Sequence, residues 1–200
     1  MGFRSPLSPV FITVFLITMF ITTAVTFILP ESYASTARIK VEPATESGTN
    51  GVSAYDPYFI QTEFEILQSQ IVLEPAIAKL NLNVEWGKKY FNGQTLKTTE
   101  TMEILKGRLS LAPVRGTKLI AITVYSDDAR EAATIANAIA ESYRDYRVKS
   151  PVQIVDRAEP GKFPVKPNKT LNITLGAVAG IILGLLASGV VSLLSRRREA

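Results

Sequence analysis

The residues from Val10 to Leu29, VFITVFLITMFITTAVTFIL, pass without a single charge, and Leu171 to Leu194 does the same near the other end of the chain. No other feature constrains the fold so strongly. An α-helix rises about 1.5 Å per residue, so about twenty apolar residues match a hydrocarbon core of about 30 Å. Two such spans in a chain of 200 residues leave only the stretch between them for a water-exposed domain. Hydrophobic residues make up 46% of the sequence, a high share for a soluble protein, and the excess is concentrated in these two segments.

A cleaved signal peptide competes for the first segment, because Arg4 precedes it and the position is right. The apolar stretch exceeds the usual signal core, however, and Pro30-Glu31-Ser32-Tyr33 makes a poor small-x-small cleavage site. An uncleaved span is the expectation. The second segment is followed at once by Ser195 and by Arg196, Arg197 and Arg198, which the positive-inside rule assigns to the cytoplasm. An even number of spans brings the N-terminus to the same side, in keeping with Arg4 and with no acidic residue before the first span. The expected layout is a cytoplasmic N-terminus (1–9), a transmembrane helix (10–29), an extracytoplasmic α/β domain (30–159), a proline-rich linker (160–170), a second transmembrane helix (171–194) and a cytoplasmic tail (195–200).

The chain contains neither Cys nor His. Disulfides, thiolate metal sites and Ser-His or Cys-His dyads are thereby excluded, along with the commonest general base near neutral pH. No metal and no cofactor are expected, and an enzyme would have to work with carboxylates, Lys or Tyr alone. The net charge of +4 is not spread over the domain: residues 31–170 hold 18 Lys and Arg against 17 Asp and Glu. The excess sits beside the two apolar segments, which argues for charges that set membrane orientation and against a nucleic-acid footprint.

Between the spans, Ala37, Ile39 and Val41 alternate with polar residues in Tyr33–Val41, the pattern of a half-buried strand. Glu46–Ser53 is rich in Gly, Ser, Thr and Asn and reads as a surface loop. Asp56-Pro57 supplies an N-cap and a first-turn proline for a helix with the stripe Ile60, Phe64, Leu67 and Ile71, which Pro75 should end or kink before a short continuation through Leu80. Trp86–Lys97 is poorly patterned, and Thr99–Gly107 suggests a short helix. Strands follow at Leu109–Val114 and Lys118–Tyr125, joined by a tight turn at Arg115-Gly116-Thr117. Ser126-Asp127-Asp128 then caps a helix whose apolar face carries Ala129, Ala132, Ala136, Ile139 and Tyr143, stopped by Pro151. A strand over Val152–Ala158 leads into the stiff linker marked by Pro160, Pro164 and Pro167. The order β-α-β-β-α-β predicts an α+β fold: an open α/β sandwich of the split βαβ kind, with helices on one face of a mixed sheet, flanked by the two spans.

Gly176, Gly180 and Gly184 recur at every fourth position of the second span and Ser188 extends them, a stripe that lets another helix approach closely. Its partner is either the first span or a neighbouring subunit. Among the carboxylates, Asp127, Asp128 and Glu131 are explained by helix capping, and Glu63 and Glu65 lie off the apolar stripe of their helix, so no catalytic pair is expected. No Gly-Lys-Ser/Thr phosphate loop is present, which excludes a Walker-type nucleotide site and a kinase within this chain.

Three stretches together resemble the Wzz-type chain-length determinants, the polysaccharide co-polymerases. They are Tyr33, Ala34, Ala37, Ile39 and Val41 after the first span, the helix start from Ser126 through Ile139, and VQIVDRAEPGKFPVKPN at 152–168 before a Gly-rich span. The spacing of Pro167-Asn168, eleven residues, then Gly180-x-x-x-Gly184 is the most specific part. Pro160 and Pro164 are displaced from the family's usual positions, Lys166 stands where Ser is usual, and the long helical hairpin of the larger members has no room between Tyr143 and Val152. The chain is similar to the short capsular modulators that work beside a separate tyrosine kinase.

What the resemblance implies is a non-enzymatic scaffold in the bacterial inner membrane. It would form a homo-oligomer and regulate the length or amount of a surface polysaccharide (O-antigen, capsule or exopolysaccharide, including that of lipopolysaccharide) beside a polymerase and its lipid-linked glycan. A second reading is a transmembrane activator of a cytoplasmic tyrosine kinase, against which the short tail without Tyr argues. A two-span sensor receptor would need cytoplasmic signalling helices, which the sequence lacks.

Overall fold

The computed structural model describes residues 9–42, 57–148 and 152–198. Arg4, the loop at Glu46–Ser53, the capping role of Asp56 and the stop at Pro151 therefore lie outside the described residues. Two compact units emerge. One runs up to Glu31 and resumes at Val165; the other is Ser32–Pro164.

The second unit follows the expected order. Strand β1 (Tyr33–Lys40) is followed by α2 (Pro57–Leu67), α3 (Gln70–Lys79), α4 (Leu82–Tyr90), α5 (Thr98–Arg108), β2 (Leu109–Val114), β3 (Leu119–Ser126), α6 (Ala129–Tyr146) and β4 (Gln153–Asp156); α1 (Pro9–Ile28) and α7 (Lys169–Arg198) make the other unit. The strands form one sheet in the order β2-β3-β1-β4. Pairing Ala37 with Ile122 and Ile39 with Ile120 puts one apolar row of β1 beside one of β3, and all four residues are fully buried. Val72, Leu73, Ala76 and Ile77 of α3 and Ile135, Ala136, Ile139 and Tyr143 of α6 complete that core. Asp128 caps α6, its carboxylate accepting from the N–H of Arg130 at 2.7 Å and of Glu131 at 3.3 Å.

The sheet is not mixed, as the sequence pattern suggested, but antiparallel at every pairing. The reason is topological. Each β-α-β crossover returns in the direction it started but two places away, and the gap is filled by a strand running the other way, β3 between β1 and β2, and β1 between β3 and β4. Pro113 lies in β2, an edge strand, the place in a sheet where proline is tolerated. At the turn, Thr117 N–H donates to the Val114 carbonyl at 3.1 Å, and Gly116 takes φ +73°, a conformation that favours glycine.

Two further expectations are corrected. The helix after residue 57 is broken at Gln68-Ser69 and not by Pro75, which stands inside α3. The N–H that Pro75 lacks would have gone to the Ile71 carbonyl, and Ile71 is 57% exposed, so it is no part of the buried stripe and the loss falls on the solvent side. The poorly patterned stretch, Trp86–Lys97, begins inside α4, whose N-terminal neighbour Asn81 adopts φ +52°. Only Leu82 and Trp86 mark its buried face, too few for a periodic signal, yet Trp86 is fully buried. Gly87 permits it to pack there, since a Cβ at that position would run into the Gln94 carbonyl.

Candidate functional site

In the membrane-type unit, the stripe on α7 meets α1. A Cβ added at Gly176 would stand 2.6 Å from Thr22 Cγ2, at Gly180 3.0 Å from Phe15 Cδ2, and at Gly184 2.7 Å from Phe11 Cδ2. The partners run backwards along α1 as the glycines run forwards, so the helices are antiparallel. All three glycines are buried, Ser188 is half-buried and Gly189 faces open space. Lipid supplies no water to satisfy polar groups, and the α1 threonines turn inward on their own helix. Thr13, Thr18, Thr22 and Thr26 donate to the carbonyl four residues back at 2.8, 2.9, 2.9 and 2.7 Å. Both helices are long and apolar enough to cross a bilayer, over Pro9–Ile28 and Lys169–Ser195.

At the ends of this pair, Lys169 bonds Glu31 at 2.8 Å and stands over the Phe27 ring at 5.3 Å. Asn168 caps α7: its Oδ1 accepts from Leu171 N–H at 3.0 Å and its carbonyl from Asn172 N–H at 2.9 Å. Pro167, joined to Lys166 by a cis peptide, is half-buried, as is Pro164, whereas Pro160 is exposed. Backbone of Arg196, Arg197 and Arg198 forms the last turn of α7, and their side chains lie outside the described residues.

The α/β unit carries two polar clusters. Around the start of α6, Asp127 Oδ1 accepts from Lys89 at 2.6 Å, Tyr90 at 2.7 Å and Ser126 at 3.1 Å. Burial opposes ionisation of Asp127, yet these bonds and the Lys89 charge outweigh it and hold the carboxyl below its usual range. The same partnership raises Lys89 against its own desolvation. Glu131 accepts from the Trp86 indole at 2.8 Å and from Ser126, with Arg108 stacked over the Trp86 and Tyr90 rings at 4.7 and 4.8 Å. The second cluster is deeper. Glu63, 2% exposed, accepts from the Tyr143 hydroxyl and pairs with Arg147 at 3.0 Å, while Arg147 also donates to the Glu42 carbonyl at 3.1 Å. Burial, then the bond to Glu63, pushes the Tyr143 phenol up from its ordinary value.

Glu63 is thus not off the buried stripe of its helix but in it, between Ile60 and Leu67. The missed signal was Tyr143 on an apolar face, because a buried phenol needs a polar partner. Glu65 is exposed. These carboxylates are engaged by cations, hydroxyls, the indole and backbone N–H groups, an arrangement that clasps elements together. Among the described residues, no group of three acidic side chains is placed to hold a metal ion.

The first helix and the first elements of the domain also carry a family signature. Residues 9–80, from the first residue of α1 to the C-cap of α3, match the model of Wzz, the chain length determinant protein. Comparison with curated proteins gives no match.

Proposed function

We propose that this chain is a Wzz-type co-polymerase subunit, a non-enzymatic membrane scaffold that sets the length or amount of a surface polysaccharide. The observation that carries the reading is the family match over residues 9–80, in a chain whose two apolar helices pack as a close antiparallel hairpin on either side, in sequence, of one folded domain. On this reading both ends lie in the cytoplasm of a bacterial inner membrane and the domain outside it, an orientation that Arg196–Arg198 support through the positive-inside rule. Copies associate as a ring larger than a dimer around or beside the polymerase and its lipid-linked glycan, and the glycine stripe with Pro160, Pro164, Pro167 and Asn168 sets how the second span enters the membrane. The clasped carboxylates support a scaffold: none is left as a free acid-base pair.

Deleting the gene and separating the surface polysaccharide by gel electrophoresis tests the proposal. An altered chain-length distribution, restored by the wild-type gene, is expected. An unchanged profile with loss of phosphorylation of a partner kinase would replace the scaffold by the adaptor reading, and a stable monomer in nanodiscs would remove the ring.

A further inference from the structure

Phe163 is 79% exposed, and Val165, two residues on, is 47% exposed. A single exposed apolar residue is ordinary in a folded protein. The setting of this one is not. It lies in a segment fastened on the domain side, where the Asn137 side chain bonds the Ala158 carbonyl at 2.9 Å and its N–H at 2.8 Å. A Cβ on Gly161 would stand 2.8 Å from the Ala34 carbonyl, so the chain there lies directly on β1. The linker is thus held in place up to Gly161, and Phe163 is left projecting.

Charge and reach identify what it meets. From Arg157 to Thr170 the sequence has four basic residues, Arg157, Lys162, Lys166 and Lys169, against one acid, Glu159. Arg157 is bound to Glu141 at 3.0 Å. Lys162 and Lys166 flank Phe163 in the sequence, and both are exposed. Phe163 stands six positions before Lys169, the first residue of α7, a reach of at most about 20 Å. An aromatic ring between lysines, just outside an apolar span, has the chemistry of the headgroup layer, where the ring enters the acyl boundary and the ammonium groups meet phosphate.

We infer that the linker segment Lys162–Lys166 is a membrane-surface anchor, with Phe163 inserted at the headgroup boundary of an anionic phospholipid bilayer between the two lysines. The inference rests on the reading of α7 as a membrane span. Its effect is to give the domain a second attachment to the bilayer besides the covalent one.

The full chain with Phe163→Trp, reconstituted in vesicles of phosphatidylcholine and phosphatidylglycerol, tests it. The wild-type chain, whose single Trp86 is fully buried, supplies the baseline. Lipids brominated near the headgroup should quench the added emission at least about twofold, and less when Lys162→Glu and Lys166→Glu are introduced as well. Added emission that stays unquenched, whether red- or blue-shifted, overturns the anchor, the blue-shifted case placing the ring against protein. Alkaline carbonate extraction separates the two readings: a chain retained in the membrane but unquenched refutes the anchor alone, whereas a chain extracted into solution refutes the span and the anchor together.

Discussion

The two units of this protein solve the same problem, packing helices against neighbours, with opposite means. In the α/β unit α6 sets large side chains, Ile135, Ile139 and Tyr143, into a water-excluded core, and removal of apolar area from water drives the contact. For α1 and α7, the two candidate membrane spans, a bilayer would remove that drive, because lipid is as apolar as leucine; association there depends on close approach, and the buried positions of α7 are Gly176, Gly180 and Gly184. Glycine appears in both units, but it faces different neighbours. Gly87 lies against the Gln94 backbone, which cannot yield, whereas Gly180 lies first against the Phe15 ring, which can rotate away, and Gly184 against the Phe11 ring, with the Phe11 carbonyl 3.2 Å from an added Cβ. The lesson is that a buried glycine's cost of replacement is set by what opposes it. The polar groups differ too: the domain pairs its buried charges across elements, and α1 returns its hydroxyls to its own backbone.

The largest effect should come from the buried clasp. Glu63→Ala leaves Arg147 without its carboxylate and should cost about 3 kcal/mol or more of domain stability. Near-ultraviolet circular dichroism of Trp86 in the reconstituted chain reads the unfolding. Replacing both partners, Glu63→Leu with Arg147→Met, should cost less than Glu63→Ala alone, because no buried charge is stranded; an equal or larger loss would remove the desolvation argument.

Gly87→Ala comes next. Its methyl group meets backbone, and overpacking of this kind costs roughly 1–3 kcal/mol. Wild-type stability would show that α4 shifts freely and would erase the contrast between the glycines of the two units.

Acid should have a smaller effect. The Lys79 hydrogen bond, with Lys79 and Arg157 charges, holds Glu141 below its ordinary value, and Asp127 is lowered by Lys89 and Tyr90. Both are depressed in the folded state, so their stabilisation is complete above the ordinary carboxylate range, near 4.5 and 3.8. It is lost as pH falls through the still lower folded values, because the unfolded state takes up protons first. Lys89→Met should shrink the acid-side loss in a pH series of melts, and an unchanged slope would deny Asp127 its share.

Gly180→Leu with Gly184→Leu should change domain stability least, by under about 0.5 kcal/mol, while Leu still favours insertion. Its effect belongs in the membrane: cysteine pairs engineered across α1 and α7 should crosslink less, and the polysaccharide length distribution should shift. Wild-type crosslinking and wild-type lengths would make the stripe merely compositional.

What the sequence determined by itself is whatever is written in local period and length. The uncharged runs that became α1 and α7, the alternation in β1 and β3, and the N-cap and apolar face of α6 each draw on residues within a few positions of one another. The spacing of Gly176, Gly180 and Gly184 predicted a close-packed face for the same reason, but not which helix would occupy it. Tertiary structure decided that, and also the buried place of Glu63, the helix around Trp86, the break at Ser69 in preference to Pro75, and the antiparallel order of the sheet. Several of these are fixed by partners far along the chain: Tyr143 and Arg147 for Glu63, Glu131 for Trp86, β3 for β1. A polar side chain becomes buried, or a weakly patterned stretch helical, only when a distant group satisfies it, and periodicity carries no record of that group.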